Sequence, residues 1–190
     1  MPIQTMTPSN HHQTAATRDH TLPLPAVSPE ETEAAWQYER NFVPTLFQPW
    51  TANVIRAANV QSQHRVLDVA CGTGILARDI EQQTGAAVTG LDLSPGMLSM
   101  AEALAPQIKW QHGDAGRMPF EDGSFDRVVC QFGLMFFRDP VMALAEMHRV
   151  LAPGGRITLA VWNEPAANPG FRIMIEILAD LAGERAADAL

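Results

Sequence analysis

The segment Val66–Gly74 (VLDVACGTG) constrains this chain more than any other stretch. A short apolar run, Val66–Ala70, reads as a buried strand. It gives way to Cys71-Gly72-Thr73-Gly74, and a helix is predicted over Gly74–Gln83. Strand, glycine loop and helix in that order form the first half of a parallel crossover. Glycines at 72 and 74 remove side chains so that a ligand can lie against the backbone, and the helix N-terminus offers free N–H donors. The G-x-G-x-x-A pattern alone is a weak dinucleotide signal.

The alternation continues. Ala87–Leu91 is predicted as a second strand ending at Asp92, Ser94 caps a helix reaching about Leu104, and Ile108–Gln111 is a third strand. Phe125–Gln131 is a fourth, a helix runs from about Pro140 to Val150, and Arg156–Val161 is a fifth strand after the turn Pro153-Gly154-Gly155. A last helix is predicted from about Gly170 to Leu181. Strands separated by helices imply an α/β fold: a doubly wound, Rossmann-like, mostly parallel sheet with helices on both faces.

Ahead of this core, Ser28-Pro29-Glu30-Glu31 combines an N-cap serine, an N1 proline and an N3 glutamate, a capping box. The helix it starts carries Trp36, Tyr38 and Phe42. A second helix, from about Pro44 to Ala58, has Leu46, Phe47, Trp50, Val54 and Ile55 as its apolar stripe. Residues 1–27 show scattered prolines and no period, and read as a flexible extension. The expected parts are therefore the extension 1–27, the N-terminal helices 28–60 and the core 61–190.

Composition narrows the partners. The net charge is −8, Lys109 is the single lysine, and the arginines are spread singly. Phosphate neutralisation needs a basic stripe, so nucleic acid is not an expected partner. No apolar run approaches the roughly 20 residues that cross a bilayer, and no signal-peptide pattern opens the chain. The two cysteines, Cys71 and Cys130, show no metal-ligand spacing, and His11–His12 sit in a polar tail without further ligands. A reduced, cytoplasmic protein without a metal or membrane segment is expected.

In a parallel sheet of this kind, ligands bind at the carboxyl ends of the strands. Asp68 lies inside the first strand, beside the glycine loop. A carboxylate there disfavours a pyrophosphate and favours a cationic ligand; S-adenosylmethionine, with its ammonium and sulfonium, is one. The bland alternative is that Asp68 only bonds loop amides. Asp92 closes the second strand, where it can accept from both ribose hydroxyls of an adenosine. Asp114 follows the third strand and could accept the adenine amino group, while Ala115 could offer its backbone N–H to a ring nitrogen.

The ordered series VLDVACGTG, LDLSPGML, GDAGRMPFEDGSFDRVVCQFGLMFF and EMHRVLAPGGRITLAVW strongly resembles the class I S-adenosylmethionine-dependent methyltransferases. Within that class it is similar to the small-molecule branch that includes ubiquinone and menaquinone biosynthesis C-methyltransferases (the type 11 domain), over about residues 30–180. The resemblance implies a seven-stranded sheet, S-adenosyl-L-methionine as cofactor and S-adenosyl-L-homocysteine as product. It implies that Asp68, Gly72 and Gly74 line the methionine end, with Ala70 and Thr73 in the same loop. Asp92, Leu93 and Met97 would surround ribose and adenine, Asp114 and Ala115 would hold adenine, and Gln131 would sit near the methionine moiety. Tyr38 and Phe42 resemble residues that close over the cofactor, so helices 28–60 are expected to cap the site.

Methyl transfer is an in-line displacement that needs alignment and exclusion of water, and a base only when the acceptor must lose a proton. None of His64, His112 or His148 is placed to be that base. Met135, Phe136 and Phe137 could floor an acceptor pocket or simply pack. The sequence ends before the last two strands of the family pattern. The expectation is therefore a C-terminally truncated core whose fifth-strand edge a second copy or a partner chain would cover. The expected enzyme methylates a small-molecule acceptor. Its alternatives are a cofactor-binding but catalytically incomplete module and, less favoured, a nicotinamide-dependent oxidoreductase, against which Asp68 argues.

Overall fold

The computed structural model describes residues 25–163 and Ile173. Residues 1–24 of the expected extension and, apart from Ile173, the helix expected over 170–181 lie outside the described residues.

The chain enters through α1 (Pro29–Gln37), whose capping box is complete: Glu31 N–H donates to Ser28 Oγ and Ser28 N–H donates to the Glu31 carboxylate. A cap of this type stabilises a helix by about 1 kcal/mol. No break follows. The helix runs on through a π-helical segment, Tyr38–Phe47, into α2 (Gln48–Ala58). Pro44, read from the sequence as the start of a second helix, lies inside this continuous rod. Proline lacks an N–H and its ring collides with the preceding turn of an α-helix; a wider i→i+5 turn leaves the ring more room.

The core strands are β1 (Arg65–Val69), β2 (Ala87–Asp92), β3 (Lys109–His112), β4 (Phe125–Gln131) and β5 (Leu151–Ala160). Between them lie α3 (Ile75–Thr84), α4 (Pro95–Leu104) and α5 (Pro140–Val150). All pairings are parallel, in the order β3-β2-β1-β4-β5. β5 starts earlier than expected. Pairing already exists at Phe125↔Leu151 and resumes at Arg127↔Arg156, so Pro153-Gly154-Gly155 is a bulge inside the strand rather than a turn before it.

Strand alternation divides the core in two. Val66, Val88 and Val129 face α2 and α3 through Val54, Ile55, Leu76 and Ile80. Leu67, Val69, Val128 and Cys130 face α5 through Ala143, Met147 and Val150. Burying each of the large side chains contributes about 1.5–3 kcal/mol. The order reverses at β1, whose neighbours are β2 and β4. The crevice above their carboxyl ends is where a ligand is expected.

Candidate functional site

A cavity of about 400 Å³ opens at that crevice, within the usual range for small-molecule sites. Of the residues singled out from the sequence, Tyr38, Ala70, Gly72, Asp92, Leu93, Met97, Asp114, Ala115 and Gln131 line it. Each arrives from a strand end or the turn after it, except Met97, in the first turn of α4, and Tyr38, which comes down from the π segment.

Asp92 ends β2 and shapes the glycine loop: its Oδ2 accepts from Gly72 N–H at 2.7 Å and its Oδ1 from Ser94 N–H at 2.9 Å. Ser94 caps α4 by accepting from Met97 N–H at 3.3 Å. Burial pushes the Asp92 carboxyl up, and the N–H groups of Ser94, Gly72 and Leu93 pull against it. Asp114 accepts from Gly116 N–H at 2.8 Å, the local turn bond common for a loop aspartate.

Asp68 is 1% exposed and lines a small recess instead of the main cavity. The recess shares Tyr38, Phe47, Ala70 and Gln131 with the cavity and measures about 20 Å³, room for roughly one water-sized group. Burial, and then the charge of Asp92, push the Asp68 carboxyl up to about 8, against the opposing Ala77 N–H of α3. Asp68 Oδ2 has no hydrogen-bond donor. Neither has Gln131 Oε1, and Gln131 lines the same recess. Two buried acceptors without donors are costly, typically 1–3 kcal/mol for each unsatisfied group.

Tyr38 lies over the glycine loop: a Cβ on Gly72 would stand 3.5 Å from its hydroxyl. Burial, then Asp92, Glu39 and Asp68, drive its phenol well above the ordinary range, so it stays protonated. Thr73, Gly74 and Phe42 do not line the cavity. Thr73 donates to Glu39 at 2.5 Å, Gly74 packs on Trp110, and Phe42 is half exposed with its ring 6.3 Å from that of Tyr38. The second aromatic from the N-terminal helix is Phe47, which the sequence reading had assigned to an apolar stripe. Phe132, Phe136, Phe137 and Arg138 complete the wall. Phe136 and Phe137 had been noted as floor candidates; Arg138 carried no signal beyond following them.

Two of the described histidines make local contacts. His112 Nε2 is 3.0 Å from the Leu93 carbonyl, and His64 Nδ1 accepts from Gln61 N–H at 3.0 Å. Among the described residues no group of three or more His, Cys, Asp or Glu is placed to hold a metal. No described helix is long and apolar enough to cross a membrane.

Comparison with known proteins agrees with this arrangement. The family described as "Methyltransferase domain" matches residues 67–159. A demethylmenaquinone methyltransferase of Renibacterium salmoninarum is 40% identical over 129 residues, 68% of this chain and 54% of that protein. One of Deinococcus radiodurans is 41% identical over 123 residues, 62% of this chain and 51% of that protein. The chain thus spans about half the length of the curated relatives it matches. Among solved structures, a putative S-adenosyl-L-methionine-dependent methyltransferase from Methanococcus maripaludis superposes with a TM-score of 0.62 at 21% identity, covering 80% of this chain and 70% of that one, a likeness of fold. Sequence match, sheet order and a cavity at the β1 switch point agree: residues 67–159, the core of this chain, match a methyltransferase domain and form a Rossmann-like α/β sheet.

Proposed function

We propose that this chain binds S-adenosyl-L-methionine in the cavity above β1 and β2 and serves methyl transfer to a small-molecule acceptor. The pair of donorless acceptors in one recess, Asp68 Oδ2 and Gln131 Oε1, is the observation that carries the reading. A recess of that size and polarity fits an ammonium group, which brings several N–H donors and a positive charge. Ionising Asp68 is unfavourable without such a partner, and a cation beside it reverses that.

The remaining lining fits the rest of the ligand. Asp92 would accept from ribose hydroxyls, Leu93 and Met97 would pack on the nucleoside, and Asp114 with the Ala115 N–H would meet the adenine edge. Ala70 and Gly72 leave room against the backbone, while Thr73 and Gly74 support the loop from behind. Phe42 would act only through its contact with Tyr38. When bound, the cofactor supplies a methyl group already activated by a sulfonium. The protein's part is to align acceptor and methyl carbon and to keep water out, a task suited to Tyr38, Phe47 and Phe132. No described side chain is placed as a general base, so the acceptor would bring its own nucleophilic atom.

By analogy with the relatives named demethylmenaquinone methyltransferases, the acceptor would be a planar, largely apolar ring. The aromatic wall Phe132, Phe136 and Phe137 supports that class. A cytoplasmic location fits such an enzyme.

Calorimetry with S-adenosyl-L-homocysteine and S-adenosyl-L-methionine tests the proposal. The parent is expected to bind both, and Asp68→Ala to lose at least about 100-fold, in keeping with removal of a buried charge partner worth roughly 3 kcal/mol or more. A parent that binds neither ligand overturns the reading.

A further inference from the structure

The π segment does something an α-helix cannot. Tyr38 and Phe47 stand nine residues apart at its two ends. At 3.6 residues per turn that spacing is about two and a half turns, and the two rings would leave opposite faces of the rod. With i→i+5 bonding and about 4.4 residues per turn it is close to two turns. The rings accordingly stack, with centroids 5.2 Å apart and planes at 30°, and both line the ligand cavity. Phe42, which α-helical spacing places on the Tyr38 face, is turned outward and half exposed.

Such a register is rare and persists where surrounding contacts fix it. The core reaches the segment at both ends. Near its start Glu39 accepts from the Thr73 hydroxyl at 2.5 Å and from Arg78 at 2.7 Å. At its end the Phe47 carbonyl accepts from Gln131 Nε2 at 3.0 Å. The second contact differs in kind, because the other end of the same amide is the donorless Oε1 beside the recess. A planar amide cannot turn one end without turning the other.

We propose that Gln131 is a positioning residue that couples ligand capture to closure of the N-terminal helix: a cation held by Oε1 fixes the amide plane, Nε2 then holds the Phe47 carbonyl, and the π register keeps Tyr38 and Phe47 together over the ligand. The coupling rests on the cofactor reading above and adds that the two events are one. Glu39 holds the helix whether or not ligand is present, since neither of its partners lines the cavity; Gln131 makes the hold depend on ligand.

Hydrogen exchange of the full chain, with and without saturating S-adenosyl-L-homocysteine, separates the claims. In the parent, ligand is expected to slow exchange at least tenfold both in the loop 70–76 and across 38–47. Gln131→Met keeps the bulk and removes both polar ends. At saturation its loop should still be protected, whereas protection across 38–47 should fall below about threefold. Gln131→Glu keeps an acceptor for the cation but sets a carboxylate against the Phe47 carbonyl, and should show the same split. Unchanged exchange at the core amides of β1 and β4 in the ligand-free variants checks that they fold. Full protection of 38–47 in saturated Gln131→Met, or protection of the loop without 38–47 in the parent, overturns the coupling alone. No protection anywhere in the parent overturns the cofactor reading and the coupling with it.

Discussion

At the amino rim of the sheet, Asp126 accepts from the Arg65 backbone N–H at 2.9 Å and from its guanidinium at 3.0 and 3.1 Å, and the arginine holds its carboxyl down at about 2. At the carboxyl rim, on the neighbouring strand, Asp68 is buried with one oxygen unpartnered and its carboxyl lifted to about 8. The side chain is the same and the treatment opposite. One rim uses its aspartate in the fold; the other buries it with one oxygen left without a donor. Arg149 repeats the first pattern, bonding Glu146, Asp122 and the carbonyls of Met118 and Phe120. These ion pairs lie away from the cavity, while the buried acceptors without donors, on Asp68 and Gln131, lie beside it, the signature expected of a binding site.

Glycines carry the same contrast at the two ends of α3, and substituting them is the strongest way to break it. Gly74 has φ +86°, and a Cβ there would lie 2.3 Å from the Trp110 ring. Gly85 has φ +70° with nothing within 4 Å. Gly74→Ala is expected to cost about 2–4 kcal/mol in urea unfolding, combining strain with overpacking. Gly85→Ala should cost only about 1 kcal/mol, the penalty of a left-handed cap. Equal costs would mean that the ligand rim is no tighter than the other.

The aspartates give the next effect, with opposite signs. Asp68 keeps its proton in the folded chain to about pH 8 but loses it near 3.8 when unfolded. Between those values the unfolded state binds fewer protons, so stability falls as pH rises through this window. Asp68→Asn should flatten that slope and stabilise the ligand-free protein at pH 8 by about 1–3 kcal/mol, read from denaturation at several pH values. A variant with the parent's slope would show that Asp68 is not buried as described. Asp126 works the other way: its depressed carboxyl adds stability above about pH 4 that is lost as pH falls toward 2. Its side chain is 29% exposed and that of Arg65 53%, so screening trims the pair, and Asp126→Asn should cost about 0.5–1 kcal/mol at pH 7.

Much of the fold was legible because strands and helices differ in period. The runs from Ala87, Ile108 and Phe125 end in or just before polar residues, and chain order with parallel pairing places those ends together. Asp92 and Asp114 followed from that logic. The π segment did not, because a reading tuned to 3.6 residues per turn pairs Tyr38 with Phe42 and cannot see a 4.4-residue turn that pairs it with Phe47. Pro44 misled for the same reason, since a proline that breaks an α-helix fits a wider one. The donorless oxygens of Asp68 and Gln131 were invisible in principle: a missing hydrogen bond is a fact of three dimensions. The Pro-Gly-Gly bulge in β5 was read as a turn because its residues are turn formers, and only the partner strand's register reveals the pairing on both sides.

The two native thiols carry a practical consequence. Cys71 and Cys130 are both buried and free; burial pushes the first well above its ordinary range and the second up to about 12. Alkylating reagents attack thiolate, so at neutral pH both are expected to be silent in the folded chain. A dye could then be attached through Phe136→Cys, at a site 81% exposed on the cavity mouth, without first removing either native cysteine. Any slow labelling at the native positions would itself time the opening of the interior.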